Sequence, residues 1–200
     1  MKRIFLSFLF FFVGSFLVQT KAISYSSDPE SFISEVIDEA KVILSGSSSS
    51  EEKADKLSQI ALKTVDIKGL AYYTLGKKRK EITPEQLKKY EDLFEKYFLI
   101  SFTSRLTDYS DPKITVLSSE VVNNKYTIVK TMLLKTDKKP EVKIDWRVYT
   151  KDPDNPLIRD LIIEGLSLAR TQKEEFASVL SANNNDIDVL FSTLEKFINK

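Results

Sequence analysis

The sequence of 200 residues contains neither cysteine nor histidine. Without cysteine, no disulfide can stabilise the fold, and the lipid-modified cysteine that anchors bacterial lipoproteins is excluded. Without either residue, the common zinc sites and the Ser-His and Cys-His nucleophile arrangements cannot be built. Any enzymatic chemistry is left to carboxylates, lysine and tyrosine. A folded chain of this composition must therefore be held together by packing.

A strong net charge is missing as well. The full sequence carries 30 basic and 29 acidic residues. A near-neutral protein has no overall electrostatic footprint for nucleic acid or for anionic membrane surfaces. We therefore expect no nucleic-acid partner, and the sequence shows no metal or cofactor motif.

The first 24 residues differ in character from the rest of the chain. Lys2 and Arg3 precede an apolar run over 4–18, and small residues at Ala22 and Ser24 suit a cleavage site. The run is shorter than the roughly 20 residues of a transmembrane helix. We interpret 1–24 as a secretory signal peptide and 25–200 as a single domain in a bacterial periplasm. An uncleaved membrane anchor is the alternative.

The clearest helix signal begins at Thr83. Thr83 and Gln86 have the spacing of a capping box, and Pro84 occupies the first helical position. Apolar residues then recur at three- and four-residue steps, which predicts one long amphipathic helix. Its stripe lines either a core or a cavity: Leu87, Tyr90, Phe94, Tyr97, Phe98 and Phe102.

Other helices are predicted on both sides of a central β region. Capping residues and apolar periodicity place them at 29–46, 51–65, 66–75, 171–180 and from 186 onward, whereas the basic segment 77–80 is interpreted as a solvated loop. Between them the period changes to two. Four strands are predicted at 113–119, 125–135, 141–150 and 157–164.

The third predicted strand alternates most regularly. Val142, Ile144, Trp146 and Val148 alternate with Lys143, Asp145, Arg147 and Tyr149, so one face is expected to be buried and the other wet. We predict that Trp146 and Val148 point towards the helices and that Lys143 and Arg147 do not. Helices, then a four-stranded meander, then helices indicate an α+β fold. About six helices would wrap a twisted antiparallel sheet and leave room for a cavity.

Three features together resemble the MlaC family, also called the toluene-tolerance family. The first is the order of elements behind a signal peptide. The second is the segment Val65-Asp66-Ile67, which leads to Leu75-Gly76 and then to Thr83–Gln86. The third is the segment Asp160–Ser167, which runs from a strand into a glycine turn. The family usually has aromatic residues just after its Leu-Gly, where this chain has Lys78 and Arg79. It often has Trp and Tyr ahead of the aspartate that matches Asp160, where this chain has Leu157 and Arg159.

The resemblance implies an NTF2-like α+β fold with a deep apolar cavity that holds phospholipid acyl chains. It implies a monomeric periplasmic carrier that shuttles glycerophospholipid between outer-membrane and inner-membrane Mla-type complexes. The implied partners are an inner-membrane ABC transporter complex with an MCE-domain protein and an outer-membrane lipoprotein–porin complex. It implies no enzymatic activity and no cofactor.

A lipid carrier must hide two acyl chains from water. Each buried methylene contributes about 0.8 kcal/mol, so a long apolar slot binds tightly without a charged clamp. The long helix facing the third strand would form such a slot, although the same side chains would equally fill a packed core. The residues expected to contact lipid are Ile67, Leu70, Phe94, Tyr97, Phe98, Phe102, Val129, Val142, Ile144, Trp146, Val148 and Ile163.

Two other functions fit the same architecture. An NTF2-like cavity hosts acid–base catalysis when a carboxylate and a tyrosine face it, and Asp145, Asp160 and Tyr126 are the candidates here. A periplasmic chaperone or adaptor would use the cavity for a peptide. Small molecules that purify with the protein distinguish the three functions.

We expect the exported protein to begin within a few residues of Ile23 and to be recovered in the soluble periplasmic fraction. The basic start, the apolar run and the small residues at Ala22 and Ser24 favour cleavage there. N-terminal sequencing of the exported protein measures this directly. Recovery of an intact Met1 terminus in the membrane fraction would show that the segment is an uncleaved anchor.

Overall fold

The structure is a computed structural model that describes residues 24–107, 110–136 and 140–200. The predicted signal peptide, apart from Ser24, and most of the predicted turn at 136–140 lie outside the described residues. Among the described residues, no helix has both the length and the apolar character needed to cross a membrane. The described helices and strands are α1 Pro29–Ser45, α2 Ser50–Thr64, α3 Ile67–Leu75, a 3₁₀ helix Gly76–Lys80, α4 Pro84–Leu106, β1 Ile114–Asn123, β2 Tyr126–Leu133, β3 Val142–Tyr149, β4 Leu157–Ile163, β5 Leu166–Ser167, α5 Leu168–Ala182 and α6 Ile187–Ile198.

Each α-helix begins at a polar side chain that caps it. The predicted capping box of α4 is confirmed, with Gln86 N donating to Thr83 Oγ1 at 3.2 Å and Thr83 N donating to Gln86 Oε1 at 3.0 Å. The predicted start of α5 at Thr171 is wrong. Ser167 Oγ accepts from the backbone N–H of Arg170 at 3.1 Å, so the helix starts at Leu168. The segment 76–80, predicted as a loop, forms a 3₁₀ helix.

The sheet is an antiparallel meander in the order β1-β2-β3-β4-β5. The four predicted strands are all present, and the first extends to Asn123 instead of ending at Ser119. The count of four is nevertheless wrong, because a fifth strand of two residues pairs with β4. Glu164 and Gly165 make the tight turn between them with φ values of 49° and 82°. A two-residue strand is too short to show any periodicity in the sequence.

Two separate cores hold the molecule together. In the first, α1 and α2 cover one face of the sheet, where Val129 and Val148 are both 0 % exposed. Trp146 packs against this sheet core and Lys143 is exposed, as predicted. Arg147 departs from the prediction in part, because it is half-buried and its Nη1 donates to Asp160 Oδ2 at 3.4 Å beside the start of α5. In the second, α3, α4, α5 and α6 form a helical core of their own: Ile67, Leu70, Ala71, Leu75, Tyr90, Phe94, Phe176, Leu180, Ile187, Leu190, Phe191 and Leu194.

The two cores are joined where α2 meets α3. Val65 packs against both cores and forms a parallel bridge with Ile158 of β4, and Asp66 N donates to Ile158 O at 2.9 Å. Arg159 Nε donates to Asp66 Oδ2 at 2.6 Å, and its guanidinium lies 3.6 Å from the centroid of the Tyr149 ring. The pairing of β3 with β4 skips Arg159. That irregularity allows its side chain to reach the helix junction.

We expect Asp66→Ala to lower the free energy of unfolding by about 3 kcal/mol, because it removes the cap of α3 and leaves the half-buried Arg159 unpaired. The matched control is Asp28→Ala, which removes an equivalent cap of α1 that has no arginine partner. The control should cost only about 1 kcal/mol. Urea unfolding of both variants measures the difference, and equal losses would mean that the Asp66–Arg159 pair contributes nothing.

Candidate functional site

A row of apolar side chains runs along α4 from one core to the other. Phe94, Phe98, Phe102 and Leu106 are spaced by four residues and therefore share one side of the helix. The Phe94 and Phe98 rings are 6.3 Å apart, and the Phe98 and Phe102 rings stack at 5.7 Å with 8° between their planes. Phe94 is buried in the helical core, while Leu106 packs against the sheet core. Phe98 and Phe102, in the middle of the row, are only half-buried.

One end of the sheet carries a second half-buried apolar surface. The strand register sets Leu133 opposite both Ile114 and Val142, and Ile144 opposite Ile163. These five side chains share the face that α1 and α2 cover further along, where Val129 and Val148 are fully buried. The helices α1 and α2 thus leave this end of the face partly open.

Polar groups at the open end are satisfied internally. Trp146 Nε1 donates to Thr131 Oγ1 at 3.0 Å, and Thr131 Oγ1 donates to the carbonyl of Ile144 at 2.9 Å. Thr131 is only 1 % exposed, so its hydroxyl lies beneath the surface. The indole of Trp146 is half-buried and is fixed in orientation by this bond. Among the described residues, no buried side-chain polar atom at the open end is left without a partner.

The structure separates the twelve residues predicted to contact lipid into two groups. Five are buried in a core: Ile67, Leu70 and Phe94 in the helical core and Val129 and Val148 in the sheet core. The other seven are half-buried: Tyr97 and Phe98 pack against the helical core, Trp146 packs against the sheet core, and Phe102, Val142, Ile144 and Ile163 belong to the α4 row or to the open end of the sheet.

The predicted opposition of Phe94 and Tyr97 to the third strand is not found. Tyr97 packs on Phe197 of α6 with ring centroids 4.8 Å apart, and its hydroxyl donates to Gln172 Oε1 at 2.7 Å. Phe94 meets Phe176 of α5 edge-to-face at 6.3 Å. Both residues sit on a helix that is buried on more than one side, and a stripe of apolar residues does not reveal which neighbour each one meets.

Sequence reasoning missed three half-buried apolar residues that belong to the same two surfaces. Leu106 continues the four-residue spacing of the α4 row, and Ile114 and Leu133 complete the open end of the sheet. The signal was available in each case: the helical period extends to Leu106, and both strand residues are apolar members of a period-two pattern.

Two cavities are present elsewhere in the described residues. One of about 170 Å³ lies beside Tyr25 and Phe32, and one of about 250 Å³ lies between the 3₁₀ helix and α5. None of the twelve predicted residues lines either cavity. Both are smaller than the roughly 300 Å³ at which ligand pockets begin. The surfaces on α4 and the sheet are therefore the better candidate for a large apolar ligand.

The carboxylates considered for acid–base catalysis have structural partners or lie apart. Asp160 is 4 % exposed and accepts hydrogen bonds from Ser167 Oγ at 2.6 Å and from Ala169 N at 3.0 Å, which fixes the turn into α5. Tyr126 lies opposite Tyr149, four residues along β3 from Asp145, a separation of roughly 13 Å. Tyr126 and Asp145 are therefore too far apart along the sheet to act on the same proton.

Comparison with known proteins relates the chain to a protein family. A search of curated proteins finds no match. Among solved structures, a phospholipid-binding protein from Ralstonia solanacearum, in complex with a phospholipid, superposes with a TM-score of 0.72 at 18% sequence identity; the alignment covers 89% of this chain and 98% of that one. At this identity the likeness establishes the shared α+β fold. The family model described as MlaC protein matches residues 33–196. The chain therefore belongs to the MlaC family.

Proposed function

We propose that this protein is a periplasmic carrier that binds phospholipid by its acyl chains and moves it between the two membranes. The observation that carries the proposal is the pair of half-buried apolar surfaces, the Phe98–Phe102–Leu106 part of the α4 row and the open end of the sheet. Family membership supports the same function. So does the fold shared with a protein described as phospholipid-binding.

The chemistry of these surfaces suits acyl chains more than headgroups. Their side chains are aromatic or aliphatic, and the polar atoms of Thr131 and Trp146 bond to each other. At about 0.8 kcal/mol per buried methylene, two chains supply ample binding free energy without ion pairs. The headgroup would then remain in water at the mouth of the site.

The proposed transport route follows from the family. The carrier would exchange lipid with an outer-membrane lipoprotein–porin complex on one side and with an inner-membrane ABC transporter complex that contains an MCE-domain protein on the other. A signal peptide at 1–24 would direct the chain to the periplasm between them. Catalysis is not favoured, because Asp160 is committed to the turn into α5.

We expect an organic extract of the purified mature protein to contain two-chain phospholipid in amounts approaching one molecule per protein. Mass spectrometry of the extract, with phosphate measured against protein, tests this. A bound peptide in place of lipid would indicate a chaperone or adaptor. Protein that carries no lipid and cannot be loaded from vesicles would contradict the carrier function.

We expect Phe98→Trp and Ile144→Trp to reduce the phospholipid content by more than about half, because the larger side chain occupies space that an acyl chain needs. Ile100→Trp is the matched control. Ile100 is 39 % exposed on the same helix but lies two residues beyond Phe98, on the other side of the helix. Val148 is unsuitable for such a test, since it is fully buried and a larger residue there would disturb the sheet core.

Lipid phosphate per protein, measured after identical purification, compares the three variants, and circular dichroism verifies that each one folds. If both Phe98→Trp and Ile144→Trp retained their full lipid content, the acyl chains would have to bind at another site. A loss in Ile100→Trp as large as in the other two would show that the effect is not local.

A further inference from the structure

Six basic residues cluster at the end of the molecule where α3 passes into α4. Four of them follow one another in the 3₁₀ helix, and Gly76, with φ of 61°, makes the turn that leads into it. Lys173 of α5 lies directly against this turn. The basic patch, as we define it, consists of Lys68, Lys77, Lys78, Arg79, Lys80 and Lys173.

Two tyrosines near the end of α3 contact three of these cations. Lys68 Nζ lies 5.5 Å and Arg79 Cζ 5.9 Å from the centroid of the Tyr72 ring. Lys173 Nζ lies 4.8 Å from the centroid of the Tyr73 ring. Tyr73 is itself 43 % exposed, so an aromatic ring projects from among the charges. A cation held over an aromatic face is favourable and keeps the charges close together.

The patch is only partly neutralised by the protein. Lys78 pairs with Glu81 at 3.2 Å, and Lys68 pairs with Glu91 at 3.2 Å. The other four cations make no ion pair with any carboxylate among the described residues. The near-zero net charge of the whole chain therefore conceals a local excess of positive charge.

A recess opens within the patch. It has a volume of about 250 Å³, and Leu75 and Leu180 contribute apolar surface to its lining. Lys77, Lys78 and Lys173 contribute its basic groups. Glu81 also lines the recess and pairs with Lys78, so Lys77 and Lys173 are the lining cations that make no ion pair among the described residues.

We propose that the basic patch docks the protein onto a bilayer surface that carries anionic phospholipid headgroups. The lysines would contact headgroup phosphates, and Tyr73 would sit at headgroup depth, where tyrosine is favoured. The composition distinguishes a bilayer from a protein partner. Protein interfaces are depleted in lysine and enriched in arginine, whereas this patch contains five lysines and one arginine.

Docking in this way leaves the proposed lipid site free. The patch adjoins the N-terminal end of α4, and Phe102 and Leu106 lie near its C-terminal end. The helix has 23 residues, which separates the two ends by roughly 34 Å. Binding of the basic patch to a bilayer does not require that the protein carries lipid. Its role would be to hold the carrier near a membrane while the apolar site remains accessible to a partner.

Flotation of the lipid-loaded mature protein with vesicles tests the proposal. We expect binding to vesicles that contain about one-third phosphatidylglycerol, little binding to phosphatidylcholine alone, and loss of binding as salt shortens the screening length. Each lysine removed should lower the partition coefficient about fivefold, so Lys77→Glu with Lys78→Glu should lower it by at least about 25-fold. The control is Lys125→Glu with Lys151→Glu, which makes the same change of charge at exposed positions beside the sheet.

The proposal would be overturned by no binding of the unaltered protein to anionic vesicles, by equal binding to neutral ones, or by an equal loss of binding in the control variant. Tyr73→Ser should weaken binding to anionic vesicles without altering its salt dependence. Inorganic phosphate at millimolar concentration should not abolish binding, because docking uses many headgroups; abolition would reveal a single-phosphate site instead. The phospholipid content of the double variant Lys77→Glu with Lys78→Glu should stay unchanged. The vesicle-binding test of the basic patch and the Phe98→Trp test of the lipid site can therefore fail independently of each other.

Discussion

The architecture depends on the attachment of the α2–α3 junction to β4. The sheet core and the helical core are two separately packed clusters, and Val65 packs against both. A bridge from Val65 to Ile158 and the ion pair between Asp66 and Arg159 fix their relation at this junction. Since α4 belongs mainly to the helical core, the same junction helps to set the position of Phe98 and Phe102 relative to the sheet.

The amino-acid pattern predicted the local elements better than it predicted their neighbours. Capping at Thr83 and Asp186 and the alternation through Trp146 located helices and a strand correctly, because those signals are local. The fifth strand was missed, since two residues have no period. Phe94 was assigned to the wrong surface because helical periodicity shows that a side chain is buried, and not what it is buried against. The grouping of side chains at the open end of the sheet, from Leu133 to Ile163, depends on which strands pair and in what register. The sequence pattern alone does not give that pairing.

The composition likewise gives only the net charge of the whole chain and not where the charges lie. Balanced totals of acidic and basic residues argued against any anionic surface as a partner, yet four consecutive cations stand together in the 3₁₀ helix. Their positions around Tyr72 and Tyr73 are tertiary features, because Lys173 comes from α5, about a hundred positions further along the chain. A sum over the sequence cannot reveal such a cluster.

The row of stacked rings on α4 bears on selectivity. Phe98 and Phe102 offer a uniform surface without a polar atom, so it cannot distinguish one headgroup from another or sense a particular position along a chain. If it binds acyl chains as proposed, it would respond only to the number of methylenes that it covers, at about fourfold in affinity for each one. A carrier built this way would transport different phospholipid classes almost equally. A lysophospholipid, with a single chain, would be released far faster than any of them.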